Sequence, residues 1–336
     1  ITGQQLSLNQ GWTWSSFNVT DARFGNLNLL TRGLTLNTSD LIQSNAPAQF
    51  DAYQYDTLLP AQSGWSGTVS TNGGISNNKM YKIKLTKEQK LNIKGIPVNL
   101  NTWYFDLAQN WNWLPYVVSK NVLLVDALAN LNPSDGDLIK SQSAFAIYSN
   151  SIGWKGSLTY LKVGEGYMIK TGTAQRFTYP EYLNRATAKK SLQKSGFVSG
   201  FENNEVVSNQ YVQFPSTMSA IVKLPDGYEK LSFYNEAGEL RGNATTQTVE
   251  GKNLAFITIY GNQPEELTAH IGTGDLVRAT TQSVRFSTDA ILGSISNPIV
   301  IDLLKEKISV SPNPFQDYLE LAIDAEQKGN AQLVIS

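Results

Sequence analysis

An internal repeat limits what this chain can fold into more than any other feature of its sequence. Five short blocks recur, in the same order, further along the chain. Their offset falls steadily, from 99 residues between Trp12 and Trp111 to 86 residues between Tyr81 and Tyr167, as expected if the first copy has longer loops. Two copies are too few for a solenoid, so we predict two tandem related domains, residues 1–99 and 100–183. The matched blocks are residues 11–14 and 110–113, 39–44 and 136–141, 50–53 and 145–148, 64–67 and 153–156, and 81–84 and 167–170.

The residue pattern inside each copy is mostly that of β-strands. Polar and apolar residues alternate over 82–85 and again over 91–94, as they do in a strand with one buried face. One segment differs, because Leu124, Leu128 and Leu131 follow the i, i+4, i+7 spacing of a helix. We therefore predict a small β-rich module with one short helix, present twice.

The composition changes after the second copy. Residues 184–209 are rich in Gly, Ser, Asn and Lys, which predicts a solvated linker; its basic residues belong either to a soluble connector or to a binding patch. From 210 to 304, short alternating runs are separated by turn signals, which predicts an antiparallel β-sandwich. All seven tryptophans lie at or before Trp154, so this third region differs from the two copies.

The composition also narrows the possible partners and cofactors. The chain has a net charge of −1 and only 16% charged residues, which argues against nucleic acid or an anionic membrane as a partner. It has no cysteine, so disulfides and thiolate metal sites are excluded, and it has no apolar run long enough to insert into a membrane. A polar surface built from Asn, Gln, Ser and Thr, with many Gly, Tyr and Trp residues, is typical of exported β-proteins.

Near the C-terminal end, two prolines bracket Asn313 between two alternating apolar runs, and their fixed φ angles preorganise a turn. The pattern Ile308-Ser-Val310-Ser-Pro312-Asn313-Pro314-Phe315, followed by an alternating run, resembles the start of the C-terminal sorting domain of type IX secretion cargo in the Bacteroidota. Residues 305–336 would then be the first strands of a small β-sandwich sorting domain, truncated at Ser336. The resemblance implies export across the outer membrane, with the type IX translocon and its cargo-recognition components as partners. The duplicated Gly-Trp-x-Trp blocks are similar to repeats of surface proteins in that phylum.

No group of residues in the sequence points to a catalytic, metal or cofactor site. The only histidine, His270, lies in a strand pattern, and no nucleophile motif accompanies it. Paired carboxylates offer a route to glycoside hydrolysis. Asp40 and Asp137 recur in both copies, however, so we expect them to cap a turn of the shared fold. We therefore predict a non-enzymatic protein without cofactor or metal.

The tryptophans are the best lead to a ligand. Trp65 and Trp154 each lie between glycines, where small neighbours can leave one ring face open to stack on a sugar. Both are therefore candidate ligand-binding residues, with a place in the core as the alternative, because both copies keep the motif. The i, i+2 tryptophan pairs of the two copies each share one face of a strand, and we expect them in the core.

The sequence thus predicts an all-β chain with two related β-rich domains, a linker, an antiparallel sandwich and the start of a sorting domain. The expected function is that of a secreted or cell-surface protein in adhesion or glycan binding. Two alternatives stay open. One is a glycan-degrading hydrolase or an accessory subunit of one, and the other is an architectural stalk without a ligand.

Overall fold

The structure is a computed structural model that describes residues 1–45, 48–184, 211–274 and 276–301, with the backbone of two strands beyond them. Strands dominate this part of the chain, and the predicted all-β fold is confirmed. The helix predicted from the leucine spacing is present but ends at Ala127, where Leu128 forms its C-cap. The α-helices of the described residues have four residues each: α1 (Leu27–Leu30), α2 (Thr68–Thr71) and α3 (Leu124–Ala127).

The first copy of the repeat contains eight strands in its described residues. They are β1 (Thr2–Leu8), β2 (Gly11–Ser15), β3 (Val19–Thr20), β4 (Leu41–Ser44), β5 (Gln49–Gln54), β6 (Gly64–Gly67), β7 (Tyr81–Leu85) and β8 (Gln89–Pro97). Five of them form an antiparallel sheet in the order β2-β7-β4-β5-β6. The remaining three pair as β1-β8-β3.

The second copy contains nine strands in the described residues. They are β9 (Phe105–Leu107), β10 (Asn110–Pro115), β11 (Val122–Leu123), β12 (Leu138–Lys140), β13 (Phe145–Ser149), β14 (Gly153–Gly156), β15 (Tyr160–Leu161), β16 (Gly166–Thr171) and β17 (Gln175–Phe177). Its five-stranded sheet has the order β10-β16-β12-β13-β14, which repeats the order of the first copy strand for strand. The repeat in the sequence is therefore a repeat of one sheet.

Each five-stranded sheet turns one face to a core of its own. Side chains alternate along a strand, so Ile42 and Ile83 share the inner face of the first sheet, and Ile139 and Ile169 share that of the second. We call the opposite face of each sheet its outer face. The outer faces lie outside these two cores and are free to contact other parts of the molecule.

The third region is a sandwich of two sheets. Its strands are β18 (Ser216–Lys223), β19 (Lys230–Asn235), β20 (Leu240–Val249), β21 (Lys252–Gly261), β22 (Glu266–Thr273), β23 (Leu276–Arg285), β24 (Ile291–Leu292) and β25 (Ile299–Val300). Strand β20 pairs with β19 through its first half and with β21 through its second, so it passes from one layer to the other. Side chains such as Phe233 and Ile257 fill the core between the layers. The β-sandwich character predicted for this region is confirmed in its described residues.

The sandwich packs on the outer face of the second sheet. Leu138 and Phe145 from that face join Ile221 and Phe256 of the sandwich in one buried apolar cluster. The ring centroids of Phe145 and Phe256 are 6.0 Å apart. On the outer face of the first sheet, the residue that matches Phe145 is Phe50, and its side chain is 46% exposed. The two equivalent faces therefore have different neighbours.

The last two strands with described backbone are β26 (Lys307–Ser311) and β27 (Glu320–Asp324), which pair antiparallel with Lys307 opposite Asp324. They coincide with the two runs on either side of the Pro-Asn-Pro motif. The predicted turn itself, Pro312-Asn313-Pro314-Phe315, lies outside the described residues, and so does the predicted linker after Asn184.

Candidate functional site

The tryptophan pairs lie on the outer faces, where the edges of the two sheets meet. In the first sheet Trp14 is opposite Lys82, and in the second Trp113 is opposite Met168. Trp14 and Met168 belong to one small buried cluster, and Trp113 packs against it half-buried. The pairs are therefore neither in the core of one copy nor free on the surface, because they form the contact between the copies.

Lys82 is held between two of these rings. Its Nζ lies 4.4 Å from the ring centroid of Trp14 and 4.7 Å from that of Trp113, and it donates a 2.9 Å hydrogen bond to the carbonyl of Pro215. The residue is 5% exposed. Burial lowers the pKa of Lys82 to about 7, while Asp289 raises it and Lys140 lowers it further. The ammonium group thus links both copies to the segment that leads into the sandwich.

Lys140 makes the corresponding connection from the second sheet. Its Nζ donates to Asp289 Oδ1 at 2.6 Å and to the carbonyl of Thr217 at 3.2 Å, and lies 4.7 Å from the ring centroid of Trp111. Burial lowers the pKa of Lys140, and the Asp289 carboxylate opposes that shift. Both lysines are fully engaged inside the molecule, so we assign them to the assembly of the three regions.

A cleft of about 270 Å³ opens on the outer face of the first sheet, beside the edge of the second copy. Two aromatic rings contribute to its walls, the exposed ring of Phe50 and the half-buried ring of Trp113. None of the side chains that line it is charged. The others are the amides of Gln43, Asn45 and Gln49, the hydroxyls of Ser44 and Thr68, and Ala48.

Some polar groups of the cleft are already held by neighbours and others are not. Lys79 Nζ donates to Gln49 Oε1 at 2.7 Å, and Thr68 Oγ1 accepts from the backbone N–H of Phe50 at 2.9 Å. In contrast, Ser44 Oγ is buried and has no hydrogen-bond partner among the described residues. The exposed amide of Asn45 therefore offers hydrogen-bonding groups next to the exposed ring of Phe50, whereas the buried Ser44 hydroxyl lies out of reach of a ligand.

The structure places the two candidate ligand-binding tryptophans in the cores. Trp65 is 8% exposed and Trp154 is 6% exposed. The indole N–H of Trp65 donates to Thr31 Oγ1 at 2.9 Å, and its ring packs edge to face on Tyr53. Trp154 packs in the same way on Tyr148. Neither ring has an open face for a sugar, so the burial supports the core alternative for both.

The glycines beside these tryptophans have a backbone role. Gly67 has a φ of 150°, and a Cβ there would come within 2.1 Å of the carbonyl oxygen of Phe50. Gly156 has a φ of 152°, and a Cβ would meet the carbonyl oxygen of Phe145 at 2.2 Å. Both glycines let neighbouring strands approach closely, so their small size does not uncover the indole rings.

The residues considered for catalysis are engaged in the fold. Asp40 accepts hydrogen bonds from the backbone N–H groups of Asn37 and Thr86, and Asp137 accepts the equivalent pair from Ser134 and Gly172. The expectation that they cap a turn of the shared fold is confirmed by these bonds. The ring of the only histidine packs against Tyr234, with centroids 4.7 Å apart, and burial lowers its pKa. Within the described residues, no three His, Asp or Glu side chains cluster as a metal site would require.

Sequence reasoning missed the cleft because its residues come from separate blocks. Phe50 was used only as a marker of the repeat, and Trp113 was expected in a core. One signal was present in the sequence: two residues after the matching Phe50 and Phe145, on the same strand face, the first copy has Ala52 and the second has Ile147, so the second outer face is the more apolar one. Which of the faces the sandwich covers follows only from the tertiary structure.

No described helix is long and apolar enough to cross a membrane. Comparisons with protein families, with curated proteins and with solved structures found no match for this chain.

Proposed function

We propose that this chain is an exported, non-enzymatic binding protein that holds a neutral glycan in the cleft on its first repeat. The observation that carries the proposal is the combination in one cleft of two aromatic rings with uncharged amide and hydroxyl side chains. Aromatic rings stack on the apolar faces of sugar rings, while amides and hydroxyls exchange hydrogen bonds with sugar hydroxyl groups. Adhesion to a glycan-coated surface would use the same contact.

The absence of charge in the cleft wall supports a neutral ligand. An anionic sugar would require Arg or Lys side chains facing it, and the amine of Lys79, which contacts the cleft residue Gln49, already donates to that side chain. The volume of about 270 Å³ lies just below the range of about 300–1,000 Å³ typical of pockets for drug-sized ligands. A short part of an oligosaccharide is the ligand of matching size.

The proposal of export rests on the resemblance to type IX secretion cargo. The antiparallel pair β26–β27 supports this proposal, since β26 ends just before the Pro-Asn-Pro motif and β27 begins after it. We expect a chain that lacks the residues from Lys307 onward to accumulate in the periplasm of a type IX-competent cell. Efficient release of this truncated chain to the cell surface would contradict the sorting assignment.

Binding is tested on an array of neutral and acidic oligosaccharides with two matched variants. Phe50→Ala removes an exposed ring inside the cleft. Tyr160→Ala is its control, because Tyr160 does not line the cleft and its side chain is as exposed as that of Phe50, 46% in each case. We expect Phe50→Ala to weaken binding by about 1–3 kcal/mol, by analogy with aromatic stacking on nucleobases, and Tyr160→Ala to leave it unchanged. Equal losses in both variants, or binding of acidic glycans alone, would contradict the proposed site. Release of shorter sugars during incubation would contradict the non-enzymatic assignment.

A further inference from the structure

The free edge of strand β2 is closed by one side chain from the other copy. The backbone N–H of Trp14 donates to Gln142 Oε1 at 3.2 Å, and Gln142 Nε2 donates to the carbonyl oxygen of Trp12 at 3.0 Å. A single carboxamide thus supplies an acceptor and a donor side by side to the strand edge. It takes the place that a neighbouring strand would occupy.

The equivalent edge of the second copy is strand β10. Between β12 and β13, Ser141 is hydrogen-bonded to Ala144 and Asp137 to Tyr148 through their backbones. Bonded residues alternate with non-bonded ones along a strand, so Ile139, halfway between them, also points its backbone groups to β13. The direction of the backbone N–H and C=O groups alternates along each strand and from one strand to the next across the sheet. The backbone groups of Asn112 therefore point to β16. The N–H of Trp113 and the C=O of Trp111 therefore point away from the sheet. No described residue donates to or accepts from these two groups.

Asn45 directly follows a matched block of the first copy, as Gln142 does in the second, and its side chain is one methylene shorter. Asn45 and Trp113 line the same cleft, together with Ser44 and its unpartnered hydroxyl. The cleft therefore occupies the position at which a longer amide would close the edge of β10. At the edge of β2, in the other half of the molecule, Gln142 fills the equivalent position.

We propose that a sugar binds in this cleft. Two of its neighbouring ring hydroxyls occupy the place beside β10 that the Gln142 carboxamide occupies beside β2. One hydroxyl oxygen accepts a hydrogen bond from the N–H of Trp113, and the adjacent hydroxyl donates to the C=O of Trp111. The apolar face of the sugar then lies towards the ring of Phe50. The inference rests on the proposed function and deepens it, because it names a neutral glycan with a free vicinal diol as the ligand.

Asn45→Gln is the decisive variant. It adds the one missing methylene, so the new carboxamide reaches the edge of β10 and excludes the sugar. We expect the affinity for a β-1,4-linked glucose tetramer, which carries a 2,3-diol on each ring, to fall at least tenfold. The amide of Trp113 gains protection from hydrogen exchange in the same variant. Asn101→Gln is the matched control, because it adds the same methylene to an exposed asparagine outside the cleft and leaves the affinity unchanged.

The ligand is varied in the second arm. The same tetramer is cleaved at its diols with periodate and reduced with borohydride, and we expect its binding to be lost. Equal binding of intact and cleaved tetramer, or undiminished binding to Asn45→Gln, overturns the diol contact while the glycan function stands. If the unchanged chain binds neither the tetramer nor any neutral sugar of the array, the proposed function itself fails. Tighter binding of a peptide with a glutamine side chain than of the tetramer also overturns the inference, in favour of a carboxamide-bearing partner.

Discussion

The buried lysine between two tryptophans makes a quantitative prediction about stability. Lys82→Met introduces into the first copy the residue that the second copy has at the matching position, Met168. The two side chains have similar length, so the variant removes the amine and its hydrogen bond to Pro215 without opening a large cavity. The contacts of Trp14 and Trp113 with the aliphatic part of the side chain are kept.

The expected magnitude follows from the pKa of this amine. Burial lowers it to about 7 in the folded protein, whereas a lysine in the unfolded chain has a pKa of about 10.4. Between these values the unfolded state holds one more proton than the folded state. The free energy of unfolding therefore rises with pH by about 1.4 kcal/mol per unit. Between about pH 7.5 and about pH 9, Lys82 adds about 2 kcal/mol of stability that the methionine side chain of the variant cannot add.

Urea unfolding followed by tryptophan fluorescence measures this difference in both proteins across the pH range, at constant salt. Lys140 is present in both, so its own titration largely cancels when the two free energies are subtracted. We expect the difference between wild type and Lys82→Met to grow with pH by about 2 kcal/mol over this range. A constant difference would refute the reasoning. It would mean that the two indole rings, each of which stabilises an ammonium ion by about 0.5–2 kcal/mol, keep the Lys82 amine charged.

Three further outcomes follow from the packing. Trp65→Ala and Trp154→Ala should each lower the free energy of unfolding by about 3–5 kcal/mol, and a variant that keeps its melting temperature would contradict a core position. Asp289→Asn should lower the free energy of unfolding by about 3 kcal/mol, because it leaves the buried ammonium of Lys140 without its carboxylate. Adding Lys140→Met should restore most of that loss, as measured by chemical denaturation. Proteolysis within 185–209 should leave two fragments that elute together on size exclusion, since an apolar cluster joins the second sheet to the sandwich, and fragments that separate without denaturant would contradict that contact.

The fold could be predicted from local signals because the repeat supplied each of them twice. Alternation over 82–85 marked β7, and the block at 167–170 marked β16 at the same position of the second sheet. The recurring aspartates were predicted to cap turns, and Asp137 does so through two backbone N–H groups. Helix length was the weaker point: the leucine spacing extended to Leu131, but one turn was enough to place Leu124 in the core.

The candidate site could not be predicted in the same way. Trp65 was a candidate ligand residue because of its flanking glycines, but one of them, Gly67, serves to bring two strand backbones together. The cleft depends on which strand edges of the two copies meet, and no periodicity within either copy encodes that contact. The difference between Asn45 and Gln142, which directly follow a matched block in each copy, was also present in the sequence, but its meaning required the structure.

The contact between the copies has a consequence for how this protein behaves at high density. Trp14 lies beside Gln142, and Trp113 shares a cleft with Asn45, so each copy offers the other the same pair of elements. An association of this kind is isologous, and it closes on itself instead of propagating. Exposed strand edges otherwise invite neighbouring molecules to add on and form fibres. By carrying both halves of a two-fold contact in one polypeptide, the chain sets each of these two edges against the other copy, and crowded molecules would not polymerise through them.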